Sequence, residues 1–291
     1  MKITDPGLET VKAATQGQLL AIDNLLLTLQ PGVFNLALRM LGNRDDAADA
    51  TQEILLKVIT HLGNFESRSA FTTWVFQIAR NHLLTAITRA RECPEVSLDA
   101  MAERLQMGLE FGATLEGFRA HAGTLSPEDK RAARQVALGC TQNMLMALNR
   151  EERLIYVLDT VFGLPSKQSA EVLGVSPDAF RQRLGRVRGK LEAFTNNTCG
   201  LVNPDASCKC DRQLPAMKHL LATGAEPPSM AAIHRSEMLE AGRQFDAFVR
   251  LCDTAALFRA HPQYQVPAEL SGAIRAVLSV EGFWNEHRPL Q

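Results

Sequence analysis

The side chains with the most chemical reach in this sequence are the thiols of Cys199, Cys208 and Cys210, gathered in the turn-rich stretch NNTCGLVNPDASCKCDRQ. Thiolates this close suit zinc or another thiophilic metal, with a fourth ligand from His219, Cys252 or His234. The spacing is not that of a paired C-x-x-C knuckle. The same thiols suit a redox sensor, or three packed cysteines with no chemistry at all. A hydrolytic metal site would need an open coordination position and a general base, and only Asp205 and Asp211 stand nearby. The sequence therefore argues against an enzyme. Cys93, Cys140 and Cys252 are scattered, a usage that fits a reducing compartment better than a disulfide framework. Cys140 falls on an apolar helical face and reads as core.

A second concentration of functional side chains precedes those thiols in the chain. The stretch Ser166 to Lys190, SKQSAEVLGVSPDAFRQRLGRVRGK, reads as a helix-turn-helix. Ala170 and Leu173 lie on a short first helix, Gly174 supplies the turn, Ser176 is an N-cap and Pro177 a first helical residue. Phe180 and Leu184 form the inward stripe of the second helix. Arg181, Gln182, Arg183, Arg186, Arg188 and Lys190 remain for the outer face. A helix of this kind suits the major groove, where phosphates fix position and residues near the helix start reach base edges.

With 291 residues, 46% of them apolar, the chain has room for two or three small domains. Its formal net charge of −1 is low for a protein that grips duplex DNA unaided, because that affinity comes largely from displaced counterions. A partner that supplies the grip is expected. No basic-then-apolar leader opens the sequence, and no apolar run approaches the ~20 residues of a membrane span. A soluble, cytoplasmic protein with no membrane attachment is the expectation.

The apolar patterns LLAIDNLLLTLQ and VFNLALRMLG predict two helices, interrupted at Pro31 and Gly32 and ended at Gly42. The next segment separates two faces. Ala47, Ala50, Ile54, Leu55, Val58 and Leu62 recur at helical spacing, while Asp46, Asp49, Glu53 and Lys57 form another stripe. After a polar loop, NFESRS, a further helix places Phe71, Trp74, Val75, Ile78, His82 and Leu83 on one side. Gln77, Arg80, Asn81, Thr88 and Arg91 come round the other. His82 reads as a packed, hydrogen-bonded core histidine. Aromatics beside a polar loop and a basic helix suit unpaired bases, which stack on rings while cations meet the phosphates.

Three motifs now stand in order: Asp-Ala-x-Asp-x-x-Gln-Glu at Asp46 to Glu53, Thr-Trp-x-x-x-Ile-Ala-Arg-Asn at Thr73 to Asn81, and Gly-Val-Ser-x-x-x-Phe-Arg-x-Arg-Leu at Gly174 to Leu184. Together they resemble an extracytoplasmic-function (ECF) sigma factor of the bacterial sigma-70 family, over roughly Leu19 to Phe194. The resemblance implies that Asp46, Asp49, Gln52 and Glu53 dock on the clamp helices of the polymerase largest subunit. It implies that Asn64, Phe65, Glu66, Ser67, Arg68 and Ser69, with Arg80 and Asn81, capture unpaired minus-ten bases. It also implies that Ser176, Asp178, Ala179, Arg181, Gln182 and Arg186 face the minus-thirty-five element, near the flap of the second-largest subunit. Core RNA polymerase and promoter DNA are the implied partners, an anti-sigma factor a further one, and no cofactor is required.

The expected fold is all-α. Residues 1–91 form a first helical domain, and 131–194 form the helix-turn-helix domain. Between them, 92–130 reads as an acidic linker with one marginal helix around Leu98 to Leu109. It holds Glu92, Glu95, Asp99, Glu103, Glu110, Glu116, Glu128 and Asp129 against Arg104, Arg119 and Lys130. Ser126, Pro127 and Glu128 start the two helices that brace the DNA-reading pair. Residues 195–291 form a cysteine-containing helical extension, with Met238, Phe245, Phe248, Leu251 and Leu257 along a long amphipathic helix and another helix after Pro267. The extension is expected to regulate the rest. The rival reading is a stand-alone, dimeric helix-turn-helix regulator with a metal- or redox-sensing C-terminal domain.

Overall fold

The computed structural model describes residues 1–85, 97–115, 126–224 and 253–279. Among the described residues the architecture is all-helical, as the patterning predicts, apart from one isolated bridge between Cys199 and Cys208. Cys93, Thr88, Arg91, Glu92, Glu95, Glu116, Arg119, His234, Met238, Phe245, Phe248, Leu251 and Cys252 lie outside the described residues. The chain divides into two compact units that do not run in chain order. One comprises, among the described residues, 1–85, 157–181 and 263–279; the other comprises 97–115, 126–156, 182–224 and 253–262.

The first unit is built round α2 (Leu19–Leu41), a single helix of 23 residues where the sequence predicts two. Pro31 removes a backbone donor that would reach back to the Leu27 carbonyl, and Leu27 is an exposed residue, where the loss costs less than in the core. Gly32 is needed for contact: a Cβ there would lie 2.7 Å from the Cα of Ile3. Tertiary packing thus overrides the breaker. Leu25, Leu29, Val33, Phe34, Leu36, Ala37 and Met40 are fully buried, and every residue from Gly32 to Met40 is enclosed. Against the expectation of no span-length run, α2 is long and apolar enough to cross a bilayer. However, 56% of its apolar window is buried within the protein, as in a core helix.

Gly42, at φ 71°, closes α2 by donating to the Leu38 carbonyl, and Asn43 caps α3 (Arg44–Thr60) by accepting from the N–H groups of Asp45 and Asp46. Helix α3 buries Ala47, Ala50, Ile54, Leu55 and Val58, as its spacing predicts. Helix α1 (Leu8–Thr15) and α4 (Phe71–Thr85) also pack on α2. His82 of α4 is buried, as expected, and accepts at Nδ1 from the Lys57 ammonium at 2.9 Å. Burial first, and then that ammonium, push the imidazole below its ordinary 6.5, while the Glu53 carboxylate 3.6 Å away opposes them.

Residues 263–279 belong to this unit. Asn35 grips the backbone of Tyr264 at both ends, donating to its carbonyl at 2.9 Å and accepting from its N–H at 2.8 Å. The buried Arg39 guanidinium stands 5.5 Å from the Tyr264 ring centroid, and burial pulls its pKa down to about 10. Farther on, Ser271 donates to Gln30 and Arg275 pairs with Asp23, both on α2. These last two residues lie on the final helix of the chain described, Ala268–Leu278, which the sequence places after Pro267 and which packs on α3.

In the second unit, α5 (Leu98–Thr114) extends beyond the marginal helix expected in the linker, and α6 (Pro127–Met146) begins at the expected Ser126 cap. Buried Arg153, on α7 (Arg150–Tyr156), donates to the carbonyls of Leu145, Met146 and Leu148, satisfying the end of α6. Tyr156 meets Phe258 edge-on at 4.9 Å, and Thr195 and Thr254 share a hydrogen bond of 2.6 Å.

Asn35→Ala should cost about 1–3 kcal/mol in urea unfolding, because a buried donor and acceptor of Tyr264 lose their partners; an unchanged midpoint would show that the grip carries no stability. The neutral His82 gives a second expectation. Its stabilising contribution is present above the unfolded imidazole value of 6.5 and is lost as pH falls through the lowered folded one. Unfolding midpoints should therefore drop over that window in the native chain and drop less in His82→Gln.

Candidate nucleic-acid interface

On α3, Asp46, Asp49 and Glu53 are exposed and Gln52 is half-buried, so the four expected docking residues share the face opposite the buried stripe. Acids in the first turns also favour the positive end of the helix. Glu53 does two things at once, since it faces solvent and also lies against His82.

The loop from Asn64 to Ser69 projects from a fixed base. Phe65 is half-buried, edge-on to Phe71 at a centroid distance of 5.0 Å and 5.5 Å from Trp74. Beyond it Asn64, Glu66, Ser67 and Arg68 are exposed, Ser69 is half-buried, and Arg68 pairs with Glu66 at 2.5 Å. Ser67 adopts φ 55°, the left-handed region that a non-glycine residue enters only when its surroundings hold it there. Asn81 is exposed on α4 and accepts from Arg80 at 3.2 Å, while the Arg80 Nε is buried with no hydrogen-bond partner. An aromatic platform beside a polar loop and a cation can stack an unpaired base and meet its phosphate.

The helix-turn-helix is formed by α8 (Ser166–Leu173) and α9 (Pro177–Thr198). Gly174, at φ 66°, makes the turn, and Val175 donates back to the Ala170 carbonyl at 3.0 Å. Ser176 accepts from the Ala179 N–H at 3.2 Å, the cap expected for α9. Ser176, Asp178, Arg181, Gln182 and Arg186 are exposed, Ala179 is half-buried, and Arg181 pairs with Asp178. Phe180, Leu184, Val187, Leu191 and Phe194 are buried along the other side. One expectation needs correction. Arg183 and Lys190 are not spare outer-face charges, because they pair with Glu151 and Glu152 of α7. Arg181, Arg186 and Arg188 are the other cations exposed along α9.

A contact the sequence did not reveal joins α8 to α4. Gln168 donates to Thr73 at 2.8 Å, Gln77 donates to the Glu171 carbonyl at 3.2 Å, and Phe76 meets Phe162 edge-on at 5.6 Å. Gln77, expected on the outward side, is thus engaged in packing. A signal existed: Thr73, Phe76, Ala79 and Leu83 follow helical spacing on a second buried face.

The thiols of Cys199, Cys208 and Cys210 come together, as their spacing suggests, and Cys140 of α6 joins them. All four line one cavity of about 20 Å³, with Leu105, Val136 and Met144 beside them. Burial, and then the neighbouring sulfurs, push the thiols of Cys140 and Cys210 upward; burial likewise raises Cys199 and Cys208. His219, a candidate fourth ligand, instead meets Phe111 edge-on at 5.1 Å and is absent from the cavity lining.

Comparison with known proteins matches residues 25–92 to Sigma-70 region 2 and residues 138–191 to Sigma-70, region 4. The RNA polymerase sigma-H factor of Pseudomonas aeruginosa is 27% identical over 188 residues, covering 63% of this chain and 91% of that protein. The ECF RNA polymerase sigma factor SigW of Bacillus subtilis is 25% identical over 181 residues, covering 62% of this chain and 92% of that protein. A co-crystal structure of the sigma factor RpoE with the anti-sigma factor NepR from Bartonella quintana matches at 19% identity over 63% of this chain and 98% of that one. Its TM-score of 0.38 is too low to establish a shared arrangement. The matched regions hold the α3 stripe, the Asn64 to Ser69 loop and the helix-turn-helix, and they stop at residue 191, leaving a C-terminal extension. The chain belongs to the ECF sigma factors of the sigma-70 family, non-enzymatic proteins that bind core RNA polymerase and initiate transcription at promoters.

Proposed function

We propose that the described arrangement is the closed form of a promoter reader whose parts separate on the polymerase. The observation that carries this is the packing of α8 on α4 through Gln168, Thr73, Gln77 and Phe162. Packed helices lie roughly 8–10 Å apart. Minus-ten and minus-thirty-five elements are about 25 base pairs apart, roughly 85 Å of duplex at 3.4 Å per pair. One contact cannot span that distance, so reading both elements requires the α4–α8 contact to open.

In this reading Asp46, Asp49, Gln52 and Glu53 dock on the clamp helices of the largest polymerase subunit. Asn64 to Ser69, with Arg80 and Asn81, hold bases that have left their stack, which costs a few kcal/mol and so selects already melted DNA. Ser176, Asp178, Ala179, Arg181, Gln182 and Arg186 face the duplex, with the flap of the second-largest subunit alongside. The protein works in the cytoplasm with the polymerase, and an anti-sigma factor could hold the same closed form. The C-terminal extension restrains opening, because Tyr264 and its neighbours anchor it to α2, next in the chain to the docking helix α3.

Three outcomes follow. Asp46→Lys with Asp49→Lys should weaken core-polymerase binding at least tenfold, about 1.4 kcal/mol, with the thermal midpoint unchanged; unaltered binding removes the docking assignment. Arg181→Ala should weaken promoter affinity by about 1–3 kcal/mol at one base position if it reads a base edge. If it touches phosphate instead, the loss is sequence-blind and salt-dependent. Tyr264→Ala should raise promoter output in transcription with core polymerase, and equal or lower output with intact secondary structure would reject restraint by the extension.

A further inference from the structure

The loop from Cys199 to Cys210 has little apolar material of its own. Between its cysteines only Ala206 is buried. It is nevertheless wound tightly. Cys199 and Cys208 face each other as a bridge pair, and Gly200 donates to the Cys208 carbonyl at 2.8 Å. A Cβ at Gly200 would meet that carbonyl at 2.9 Å. Donors converge on the sulfurs. The backbone amides of Leu201 and Val202 favour the Cys199 thiolate, and the Val202 N–H also donates to the Cys199 carbonyl at 3.0 Å. Buried Gln213 donates from Nε2 both to the Cys208 sulfur at 3.4 Å and to the Leu105 carbonyl at 2.8 Å. Gly108 makes room for that amide, since a Cβ there would lie 2.5 Å from its Oε1. Amide donors aimed at sulfur gain little from a neutral thiol and much more from a thiolate. In an otherwise apolar cavity, such donors resemble the outer partners that orient metal ligands.

We propose that Cys140, Cys199, Cys208 and Cys210 bind one thiophilic, tetrahedral cation of the zinc class in the cavity they line. Cys140 supplies the fourth ligand that the loop lacks, so the ion joins α6 to the C-terminal end of α9. Four sulfurs complete a closed coordination shell with no position for water, which makes the site structural. A cavity of about 20 Å³ accommodates one such ion. As they stand, no three His, Cys, Asp or Glu side chains among the described residues are arranged to hold a metal. Loading therefore requires the thiols to turn inward, each giving its proton to water as its sulfur–metal bond forms. Lys209 and Arg212 on the same loop offset part of the resulting negative charge.

The test uses the full chain, purified anaerobically, with Zn²⁺ and then Co²⁺ as probes. About one ion per chain is expected, with a cobalt spectrum showing tetrahedral ligand-field bands and charge transfer from four thiolates. Cys140→Ser should lower metal affinity by at least the ~10–100-fold that loss of an outer partner alone costs, while Cys93→Ser and Cys252→Ser keep wild-type content. A spectrum of three thiolates in the native chain, which requires no variant to fold, overturns the assignment of Cys140. So does binding that depends on Cys252 in its place. No bound metal after zinc loading, or a disulfide between any two of the four cysteines in the anaerobic protein, overturns the site.

Discussion

From Gly32 to Met40 helix α2 is buried on every side, and the need to cover that half organises the unit that contains it. Burying a Leu or Phe side chain contributes about 1.5–3 kcal/mol, so enclosing Leu25, Leu29, Val33, Phe34, Leu36 and Met40 is a large stabilising term. Neighbours in sequence, α1, α3 and α4, supply only part of the cover. The π-helical turn at Val157–Val161 also packs on α2, and residues 263–279 bring Tyr264 to Asn35 and Arg39. A unit assembled from three stretches of chain follows from that requirement. The same packing keeps Pro31 inside one continuous helix.

Charge is arranged on the opposite principle. Acids and bases are nearly balanced over the chain, and the structure also balances them locally. Arg183 and Lys190 of α9 are matched by Glu151 and Glu152, and Arg181 by Asp178. Exposed pairs of this kind contribute about 0–1 kcal/mol each and are readily exchanged for other partners. A phosphate can therefore replace Asp178 beside Arg181 at little cost, whereas the pairs to α7 tie Arg183 and Lys190, two turns apart on α9, to a neighbouring helix. The limited cationic surface that remains fits a subunit which relies on the polymerase for most of its hold on DNA.

Glu53 and Gln77 show how closely surface roles and packing overlap in a small helical protein. Glu53 belongs to the exposed stripe of α3, yet its carboxylate lies against buried His82, which accepts from Lys57. Gln77 is on the polar side of α4, yet it donates to the Glu171 carbonyl of α8. In both cases the long side chain has an apolar stem that packs and a polar end free to find a partner.

The amino-acid sequence by itself determined whatever depends on neighbours within a few turns of chain. The Asn43, Ser126 and Ser176 caps, the Gly42 and Gly174 turns, the buried stripe of α3 and the exposed first half of α9 are local consequences of residue type and period. The three motifs made the family legible because their order and spacing are themselves sequence properties. Tertiary structure alone decided that Pro31 would not break α2, that Arg183 and Lys190 would face α7, that α8 would rest on α4, and that Cys140 would join thiols 59 to 70 positions away. Each of these pairs residues far apart in the chain. Such pairings form only when enough apolar area is buried at once to offset the entropy of closing the loops between them, and no local pattern records that balance.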